Sequence, residues 1–360
     1  MNKFCQDEVF LVAEIGKNFI QTEEDRPITE YLENAKQLVD QARNCGANAV
    51  KFQTHELTDE QYPLKKIISP HFTLKDRYGW IERNTNATPD WFWSEIKSYT
   101  ESRGLVFFST PMSRMAAERL EKIGVPLWKI GSGDVLDFPL LDFVAQTGKP
   151  LIISSGMVSY TELDKAVNYL INRGVGDLTI LYCVSEYPCP DNLFNLSTIS
   201  RLAVKYPGVT IGFSDHSIGK NDIALAAVKL GARLIEKHFS LSRELWGADH
   251  RVSMTPDELS SLVKAVRGGE YHRQNTTPYL GFPEKELEGA TNKYRPYFHK
   301  TLVAAIDIDP GTTVTQTVIW SMRPKLHLNG IRSQYWPDVL GRRLKRRLAK
   351  YQPLTWDAIE

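Results

Sequence analysis

Short apolar runs rich in β-forming residues recur along the first two thirds of the chain. The eight runs are Val9–Ala13, Ala49–Gln53, Leu105–Ser109, Leu127–Gly131, Leu151–Ser154, Leu178–Val184, Val209–Phe213 and Leu234–His238. They are continuous rather than alternating in polarity, as strands covered on both faces of a parallel sheet are. Eight strand–helix alternations in about 270 residues predict a (β/α)8 TIM barrel, with an open doubly wound sheet as the alternative.

Helix signals separate these runs. Thr29–Cys45 has the helical spacing of apolar residues, and Thr88-Pro89-Asp90 and Thr255-Pro256-Asp257-Glu258 each combine a capping residue with a proline in the first turn. One face of the first helix carries Tyr31, Leu32, Ala35, Leu38, Val39 and Ala42. We therefore predict helices that cover the outside of the sheet.

The character of the sequence changes after Arg267. Residues 268–297 are polar, contain proline and glycine and lack periodicity, which predicts a linker. Two short β-rich runs follow, Thr301–Ile306 and Thr313–Ile319. The predicted organisation is a catalytic barrel over residues 1–267, a linker over 268–297 and a small β-rich domain over 298–360. Because about 60 residues bury little core, we expect this domain to dock onto the barrel or a partner subunit.

The charge of the chain is nearly balanced. Its 44 Lys and Arg residues against 43 Asp and Glu residues leave a formal charge of +1, which excludes binding to nucleic acid or an anionic membrane through bulk charge. An anionic ligand must therefore be held by a local cluster of cations. The basic run Arg342–Lys350 is interpreted as a solvated or subunit-facing strip rather than an RNA site.

Three features favour a cytoplasmic protein. Residues Met1–Glu8 are polar and acidic where a secretory signal would be basic and then apolar, and no apolar stretch approaches the roughly 18 residues of a membrane span. No CxxC pair occurs among Cys5, Cys45, Cys183 and Cys189, which argues against a zinc knuckle or a disulfide framework. Cys183 lies inside an apolar run and is interpreted as a packing residue rather than a nucleophile.

Polar residues stand at nearly every predicted strand end, and in a TIM barrel these ends converge on one mouth. Lys51 and Lys129 lie within or at the ends of apolar strands, where a cation is costly unless an anion is near. With the hydroxyls of Ser132, Ser154 and Ser155, they predict a receptor for phosphate and carboxylate groups. Two alternatives stay open: each lysine pairs with a barrel carboxylate, or one of them forms a Schiff base with a substrate.

Two histidines, His216 and His238, end predicted strands seven and eight, so their imidazoles can face one point above the barrel. Two histidines completed by water and substrate oxygens suit a catalytic Mn²⁺, Mg²⁺ or Co²⁺ better than a closed zinc site. Glu14, Glu236 and Asp249 are candidates for acid–base or sugar-binding groups, although Asp249 could instead cap a loop.

Eight short segments stand in a fixed order along nearly the whole chain. They are Ala13–Gly16 with Asn18, Val50–Gln53, Ser109–Pro111, Lys129–Asp134, Ser154–Met157, Ser185 with Tyr187-Pro188, Gly212–His216 with Gly219, and Glu236–Phe239 with Asp249, His250 and Ser253. Together they resemble the sialic acid (N-acetylneuraminate) synthases and their nonulosonate-synthase relatives. The resemblance implies a TIM barrel followed by an antifreeze-like (SAF) domain, and a domain-swapped homodimer. It also implies condensation of phosphoenolpyruvate with an open-chain N-acetylmannosamine-type aldehyde, which gives a nine-carbon 2-keto acid and phosphate.

The resemblance further implies a role for each candidate residue. His216 and His238 would bind the divalent metal, with Mn²⁺ favoured, and Glu14 would orient a water or move its proton. Phosphoenolpyruvate would be held by Lys51, Lys129, Ser132, Ser154 and Ser214. The sugar chain would contact Tyr187, Glu236 and Asp249. Arg323, in an Arg-Pro turn of the SAF domain, would reach the N-acetyl group in the other subunit's active site.

Two departures from the family pattern leave the acceptor open. Asn18-Phe19-Ile20-Gln21 stands where the family has Asn-His-x-Gly, which alters a loop beside the pocket, and Lys325–Gly330 replaces a glycine-rich turn. A legionaminic- or pseudaminic-type acceptor, or a phosphorylated one, is therefore an alternative to N-acetylmannosamine. The competing functions are a metal-dependent sugar isomerase, a shorter-chain keto-acid phosphate synthase and a non-catalytic carbohydrate-binding scaffold. The SAF-like tail and the complete set of strand-end residues disfavour them.

Overall fold

The computed structural model describes residues 8–282 and 292–360, and its larger part is a barrel of parallel strands. The strands are β1 (Phe10–Gly16), β2 (Ala49–Thr54), β3 (Val106–Pro111), β4 (Trp128–Ile130), β5 (Leu151–Ser154), β6 (Leu178–Cys183), β7 (Thr210–Asp215) and β8 (Leu234–His238). Each coincides with one of the eight predicted runs, so the predicted barrel strands are confirmed. Cys5 and residues 283–291 of the predicted linker lie outside the described residues.

The order of the strands distinguishes a barrel from an open sheet. Hydrogen bonding runs in the order β3-β2-β1-β8-β7-β6-β5-β4, so the first and last strands of the barrel are neighbours. β3 also packs beside β4, which completes the cyclic order of a barrel. An open doubly wound sheet does not join its first strand to its last in this way. The open-sheet alternative is therefore wrong.

Helices surround the barrel. They are α1 (Ile28–Asn44), α2 (Leu57–Glu60), α3 (Arg77–Ala87), α4 (Asp90–Ser102), α5 (Arg114–Lys122), α6 (Phe138–Gln146), α7 (Tyr160–Asn172), α8 (Ser197–Lys205), α9 (Asp222–Lys229) and α10 (Pro256–Arg267), followed by α11 (Arg295–Phe298) and α12 (Trp336–Val339). All six residues predicted for the inner face of α1 are buried.

The two predicted helix caps have different outcomes. At α10, Glu258 Oε2 accepts a hydrogen bond from the Thr255 N–H at 2.9 Å, as a capping box requires. The prediction for α4 is wrong in its detail. The Thr88 hydroxyl donates to the Asn84 carbonyl at 2.8 Å and so belongs to the end of α3, while Pro89 precedes α4.

The C-terminal domain contains a two-stranded antiparallel sheet of β9 (Thr301–Ala304) and β10 (Ile319–Met322). The first predicted strand of this domain is present, but the second is displaced. The chain turns at Thr315–Val318, where the hydroxyls of Thr315 and Thr317 lie 2.8 Å apart, and β10 begins only at Ile319. The N–H groups of Val318 and Ile319 both donate to the Thr315 carbonyl, and this local turn is not visible to an argument from β propensity.

The basic run Arg342–Lys350 lies on the surface of this domain, with only Leu344 and Leu348 buried. Arg346 and Arg347 pair with Asp357 and Asp307 at 3.3 and 3.1 Å. This arrangement agrees with the interpretation of the run as a solvated strip.

Three cysteines fall within the described residues. Cys45, Cys183 and Cys189 are buried free thiols. Within residues 8–282 and 292–360, no helix combines the length and the apolar character needed to cross a bilayer.

Candidate active site

A cavity of about 1060 Å³ opens at the carboxyl ends of the barrel strands. All twelve residues predicted for the site line it: Glu14, Lys51, Lys129, Ser132, Ser154, Tyr187, Ser214, His216, Glu236, His238, Asp249 and Arg323. Ser155, which was also expected in the anion receptor, does not line the cavity. The barrel brings residues that are distant in sequence to one mouth because all parallel strands end on the same side.

We call Glu14, Lys51, Lys129, Ser154, Ser214 and Glu236 the floor of the cavity. The strand register places Glu14 beside Lys51. Lys51 Nζ lies 2.7 Å from Glu14 Oε2 and 3.6 Å from Glu236 Oε1, and Lys129 Nζ lies 3.3 Å from the same Glu236 oxygen. The structure therefore contains the ion pairs that the sequence left open as an alternative to a free anion receptor.

The two carboxylates of the floor differ in how readily they take up a proton. Burial raises the pKa of Glu14, the charge of Glu236 adds to this effect, and Lys51 opposes it. Burial acts in the same direction on Glu236, but Lys129, Lys51 and His238 outweigh it and hold its pKa at about 2. Glu236 therefore stays ionised, and Glu14 is the better suited of the two to gain and lose a proton.

Hydroxyl and amide groups on and beside the floor make hydrogen bonds to its carboxylates or line the cavity next to it. Gln53 Nε2 donates to Glu14 Oε1 at 2.8 Å, and Ser214 Oγ donates to Glu236 Oε1 at 3.3 Å. The Ser132 hydroxyl lies against Gly156. A Cβ at position 156 would be only 2.6 Å from the Ser132 Oγ, so glycine leaves the space that this hydroxyl occupies. The floor thus presents ammonium and hydroxyl donors, which are the groups that bind phosphate and carboxylate.

His216 and His238 meet at the ends of β7 and β8, with their ring centres 5.6 Å apart. Burial lowers the pKa of His216 to about 3 and that of His238 to about 4, so both imidazoles are neutral near pH 7. His216 Nδ1 lies 2.7 Å from the Val184 carbonyl oxygen, to which it donates, and its Nε2 is left as the ligand atom. His238 Nδ1 is buried and has no hydrogen-bond partner among the described residues.

This histidine pair fits a metal ion only as a partial ligand set. The part of the chain that the structure describes contains no group of three or more His, Cys, Asp or Glu side chains placed to hold a metal. Two neutral imidazoles can still bind a divalent ion whose shell is completed by water or substrate oxygens, which is typical of a catalytic site. The choice among Mn²⁺, Mg²⁺ and Co²⁺ stays a prediction.

Asp249 and Tyr187 form the side of the cavity next to the histidines. Asp249 Oδ1 lies 2.8 Å from His71 Nε2, and Asp249 Oδ2 lies 3.7 Å from Lys17 Nζ. Burial alone would raise the pKa of Asp249, but Lys17 and His71 hold it well below its usual range. The Tyr187 ring packs on His216 with centres 4.2 Å apart, and burial raises its pKa, so it stays a hydrogen-bond donor. Asp249 therefore offers an ionised carboxylate to the cavity and is more than a loop cap.

Arg323 reaches the cavity of its own chain. Its N–H donates to the Glu60 carbonyl at 2.9 Å, and the Tyr62 N–H donates to the Arg323 carbonyl at 2.8 Å. Its guanidinium forms an ion pair with Asp134 and donates to the Met112 carbonyl at 3.2 Å. Within this one chain the C-terminal domain places Arg323 at the chain's own cavity, and its service to the other subunit's site stays a prediction.

A second cation anchors the C-terminal domain beneath Arg323. Lys300 Nζ is fully buried and lies 2.9 Å from Asp134 Oδ1 and 2.7 Å from Asp137 Oδ2. Asp134 is the last residue of the 3₁₀ turn Ser132–Asp134, which begins with a cavity-lining serine. The carboxylate that pairs with Lys300 and Arg323 therefore lies two residues from the cavity-lining Ser132.

Comparison with known proteins identifies the family that shares this architecture. Residues 38–277 match the model of the NeuB family, and residues 299–360 match that of the SAF domain. The chain belongs to the NeuB family. Its C-terminal domain is accordingly a SAF domain, and the resemblance seen in the sequence is confirmed.

Named relatives in the NeuB family differ in their products. The chain is 34% identical to the N-acetylneuraminate-9-phosphate synthase of Mus musculus, over 85% of this chain and 80% of that protein. It is 31% identical to the pseudaminic acid synthase of Helicobacter pylori, over 97% of each. A crystal structure of a spore coat polysaccharide biosynthesis protein of Bacillus subtilis matches 99% of this chain and 96% of that chain, with a TM-score of 0.79 at 28% identity. The family is one of enzymes that synthesise sialic and other nonulosonic acids.

Sequence reasoning missed cavity residues that come from connections rather than strand ends. His71 and Arg77 follow β2 on the way into α3, Tyr294 belongs to the predicted linker, and Phe298 lies at its boundary with the SAF domain. No motif or periodicity marks these four positions. Gln53, by contrast, lies within a segment that carries the family resemblance, so a signal for it was present.

The two departures from the NeuB-family pattern lie away from the cavity. Phe19 is buried in the barrel core, with its ring centre 5.2 Å from that of Phe92 and 6.2 Å from that of Phe52. The Phe19 ring therefore does not enter the cavity, although Lys17 of the same segment lines it, and the effect of this departure on the acceptor stays a prediction. No residue of Lys325–Gly330 lines the cavity, and two of them contribute to a separate surface groove with residues 64–68.

Proposed function

We propose that the chain condenses phosphoenolpyruvate with N-acetylmannosamine or a related N-acyl hexosamine, giving a nine-carbon 2-keto acid and phosphate. The observation that carries the proposal is a single cavity in which two buried lysines and several hydroxyls lie beside a pair of neutral histidines. The first group suits the phosphate and carboxylate of phosphoenolpyruvate, and the second suits a divalent ion. The names of the relatives support a synthase of this type.

The proposed reaction forms one carbon–carbon bond and breaks one carbon–oxygen bond. C3 of phosphoenolpyruvate bonds to the aldehyde carbon of the open-chain sugar, whose oxygen gains a proton and becomes a hydroxyl. Water adds to C2, and phosphate then leaves with its bridging oxygen. The oxygen of the new keto group therefore comes from water, and the two substrates plus one water account for both products.

The floor would carry the phosphoenolpyruvate half of this reaction. Its phosphate and carboxylate would be bound by Lys51, Lys129, Ser132, Ser154 and Ser214. Glu14, whose pKa is raised by burial, would orient the attacking water and accept its proton. The hydrogen bond from Gln53 fixes the direction in which the Glu14 carboxylate points.

The histidine pair would hold the metal, with Mn²⁺ as the favoured ion and Mg²⁺ or Co²⁺ as alternatives. When bound, the ion would supply Lewis-acid polarisation of the aldehyde oxygen of the sugar. The chain itself keeps His216 and His238 neutral through burial and fixes the ring of His216 through the Val184 carbonyl.

The acceptor sugar would lie between the histidine pair and the SAF domain. Tyr187, Glu236 and Asp249 would contact its hydroxyls, and Arg323 of the same chain would bind its N-acyl group. Acceptors of the legionaminic or pseudaminic type, and phosphorylated hexosamines, fit the same description. A metal-dependent sugar isomerase is a weaker candidate, because it would have no use for the lysines and hydroxyls of the floor.

The test is a measurement of inorganic phosphate released from phosphoenolpyruvate by the purified protein with Mn²⁺ and a panel of N-acyl hexosamines. We expect release that depends on the acceptor, and a product whose mass equals that of phosphoenolpyruvate, the acceptor and one water minus phosphoric acid. An isomerase would convert the sugar without phosphoenolpyruvate. Absence of phosphate release with every N-acyl hexosamine would overturn the proposal.

Three further expectations belong to the same proposal. They are the domain limits 1–267, 268–297 and 298–360, a cytoplasmic location without nucleic-acid or membrane partners, and a homodimer. Light scattering on the purified chain tests the dimer. The expected dimer is domain-swapped, so that Arg323 would serve the other subunit's cavity, and mixing two variants that each lack one part of the site tests this exchange.

A further inference from the structure

Arg77 is a buried cation of the cavity to which the proposed chemistry gives no role. It is the first residue of α3 and is only 7% exposed. Its Nε donates to Gln61 Oε1 at 3.2 Å, and its two terminal nitrogens have no hydrogen-bond partner among the described residues. No described carboxylate forms an ion pair with it. Since arginine is rarely buried without an anion, this position is suited to one.

A second guanidinium lies close to Arg77. Both guanidinium groups lie near the Phe298 ring: Arg77 Cζ is 4.3 Å and Arg323 Cζ is 5.8 Å from the centre of the ring. Burial and the charge of Arg323 lower the pKa of Arg77 to about 9, and Glu60 and Asp134 offset this only in part. Arg323 has Asp134 as a direct partner, whereas Arg77 has none among the described residues. A ligand with negative charge would relieve the repulsion between the two cations.

Arg77 contacts Gln61 and Phe298, neither of which belongs to the floor. The charged groups that act on it are Arg323, Glu60 and Asp134, none of which belongs to the floor. The floor lysines are already balanced by Glu14 and Glu236. Arg77 therefore lies on the side of the SAF domain, where the acceptor is placed, and away from the receptor assigned to phosphoenolpyruvate.

The surroundings of Arg77 would strengthen an ion pair formed there. Trp80 and Ile81 follow it at i+3 and i+4 on the cavity face of α3, and Phe72 packs on Trp80 with ring centres 4.9 Å apart. Apolar walls exclude water and so increase the attraction between a guanidinium and an anion.

Another unsatisfied polar group lines the same side. His55 Nδ1 contacts Glu60 Oε2 at 2.7 Å, while its Nε2 is buried without a partner in the described part of the chain. Buried polar atoms are nearly always hydrogen-bonded, and an unpaired one in a cavity indicates a ligand that supplies the missing partner. A polar ligand at this end is thus indicated by an atom other than those of Arg77.

We propose that this end of the cavity is a second anion site, in which Arg77 binds a phosphate or carboxylate group carried by the acceptor sugar. The proposal rests on the proposed condensation, because that reaction places the acceptor between the histidine pair and the SAF domain. The planar guanidinium matches either anion with two parallel hydrogen bonds. The acceptor is then an N-acyl hexosamine with an anionic group remote from its aldehyde.

The first test compares three acceptors with the Mn²⁺-loaded enzyme. They are N-acetylmannosamine, N-acetylmannosamine 6-phosphate and N-acetylmannosaminuronic acid. We expect kcat/KM for one of the two anionic sugars to exceed that for the neutral sugar by roughly 10- to 100-fold. Which of the two is preferred identifies the anion. Equal values for all three, or a preference for the neutral sugar, would overturn the proposal.

The second test removes the guanidinium. Arg77→Met should reduce the ratio of kcat/KM between the anionic and neutral acceptors to near one, and Arg77→Lys should retain part of it because a charge remains. Lys65→Met is the matched control, since this exposed lysine of the same connection does not line the cavity. A variant that raises KM for phosphoenolpyruvate but keeps the acceptor ratio would assign Arg77 to the floor and contradict the proposal.

Calorimetric titration tests the proposed anion site independently of the proposed condensation reaction. It measures binding of the three sugars to the wild type, Arg77→Lys and Arg77→Met without turnover. If no acceptor releases phosphate but an anionic sugar binds more tightly through Arg77, the condensation fails and the anion site stands. If the wild type binds all three sugars equally, the anion site fails whether or not condensation occurs. The wild-type comparison and Arg77→Lys keep the test valid if Arg77→Met does not fold.

Discussion

The floor of the cavity and its rim, by which we mean Arg77, Phe298 and Arg323, distribute charge in opposite ways. On the floor, Lys51 and Lys129 lie 2.7 and 3.3 Å from carboxylates that adjacent barrel strands hold in place. The rim is assembled from α3, the end of the linker and the SAF domain, and its Arg77 has no carboxylate partner among the described residues.

This difference suggests which part of the cavity serves a reaction step common to NeuB-family enzymes and which part serves the substrate that differs among them. A floor fixed by neighbouring strands and balanced in charge suits a reaction step common to the family. A rim built from connections, with a cation left for the ligand, suits the part of the substrate that differs between relatives. Variants should therefore affect turnover beside the floor, and stability or acceptor choice at the rim.

The largest effect is expected beside the floor, from His216→Ala. Loss of one of only two imidazole ligands should lower kcat by about 1000-fold, and equilibrium dialysis should show weaker binding of Mn²⁺. His272→Ala is the control, because His272 is exposed and outside the cavity. Full turnover in His216→Ala would contradict the metal assignment.

The next largest effect is expected beneath the rim, from Lys300→Met. This change leaves Asp137 without its cation and Asp134 with Arg323 alone, and an uncompensated buried charge costs about 3–5 kcal/mol of the free energy of unfolding. Urea denaturation measures the loss. Lys345→Met, on the surface of the same domain, should stay within about 0.5 kcal/mol of the wild type. A similarly small change in Lys300→Met would show that the cation does not anchor the domain.

Asp59 of α2, next to the residue that meets Arg323, predicts a pH dependence of stability. Burial raises its pKa to about 7, so the folded chain keeps a proton that the unfolded chain releases above about pH 4. The folded state binds more protons between those values, and stability therefore falls as pH rises from about 4 to 7, by up to about 4 kcal/mol.

Asp59→Asn removes this titration. Urea denaturation at pH 5 and pH 8 should show a smaller difference between the two conditions in Asp59→Asn than in the wild type. Asp338→Asn, an exposed aspartate of the SAF domain, should retain the wild-type difference. An unchanged pH difference in Asp59→Asn would show that Asp59 is not protonated in the folded chain.

The smallest effect is expected from Arg323→Ala, which should lower kcat/KM for the acceptor by roughly 10- to 100-fold and change KM for phosphoenolpyruvate little. Lys300 still pairs with Asp134 in this variant, whereas the buried Glu60 loses its contact with Arg323, so circular dichroism should accompany the kinetics. Mixing Arg323→Ala with His216→Ala should restore no activity if the enzyme keeps Arg323 at its own chain's cavity, where the single chain places it. Recovered activity in the mixture would show that the arginine is exchanged between subunits.

The floor could be predicted from the sequence because its residues obey a simple positional rule. Lys51, Lys129 and Glu236 stand in apolar runs, and parallel strands of a barrel end on one side, so their meeting follows from the fold. The partner of each lysine could not be predicted, since Lys51 meets Glu14 through the register of neighbouring strands and Lys129 meets Glu236 across the barrel. That register joins Glu14 to Lys51 across β1 and β2.

The rim could not be predicted in the same way. Arg77 and Tyr294 lie in segments without hydrophobic periodicity, and the direction of their side chains is decided by packing against distant parts of the chain. Arg323 was identified through the family resemblance, which also assigned it to the other subunit's site. Its position follows from a short backbone pairing with Glu60 and Tyr62, for which a sequence has no signal.

The turn Ser132–Asp134 ties the barrel to the SAF domain, which bears on whether the barrel can be produced as a separate fragment. A fragment that ends before residue 298 would lose both Lys300 and Arg323, the cations that pair with Asp134 and Asp137. Such a fragment would also expose the barrel surface that the SAF domain covers, so we expect it to be less stable and more prone to aggregate than the whole chain. The pattern change near residue 297 therefore marks a boundary of sequence, whereas the buried ion pairs that cross it lead us to expect that the two domains unfold together.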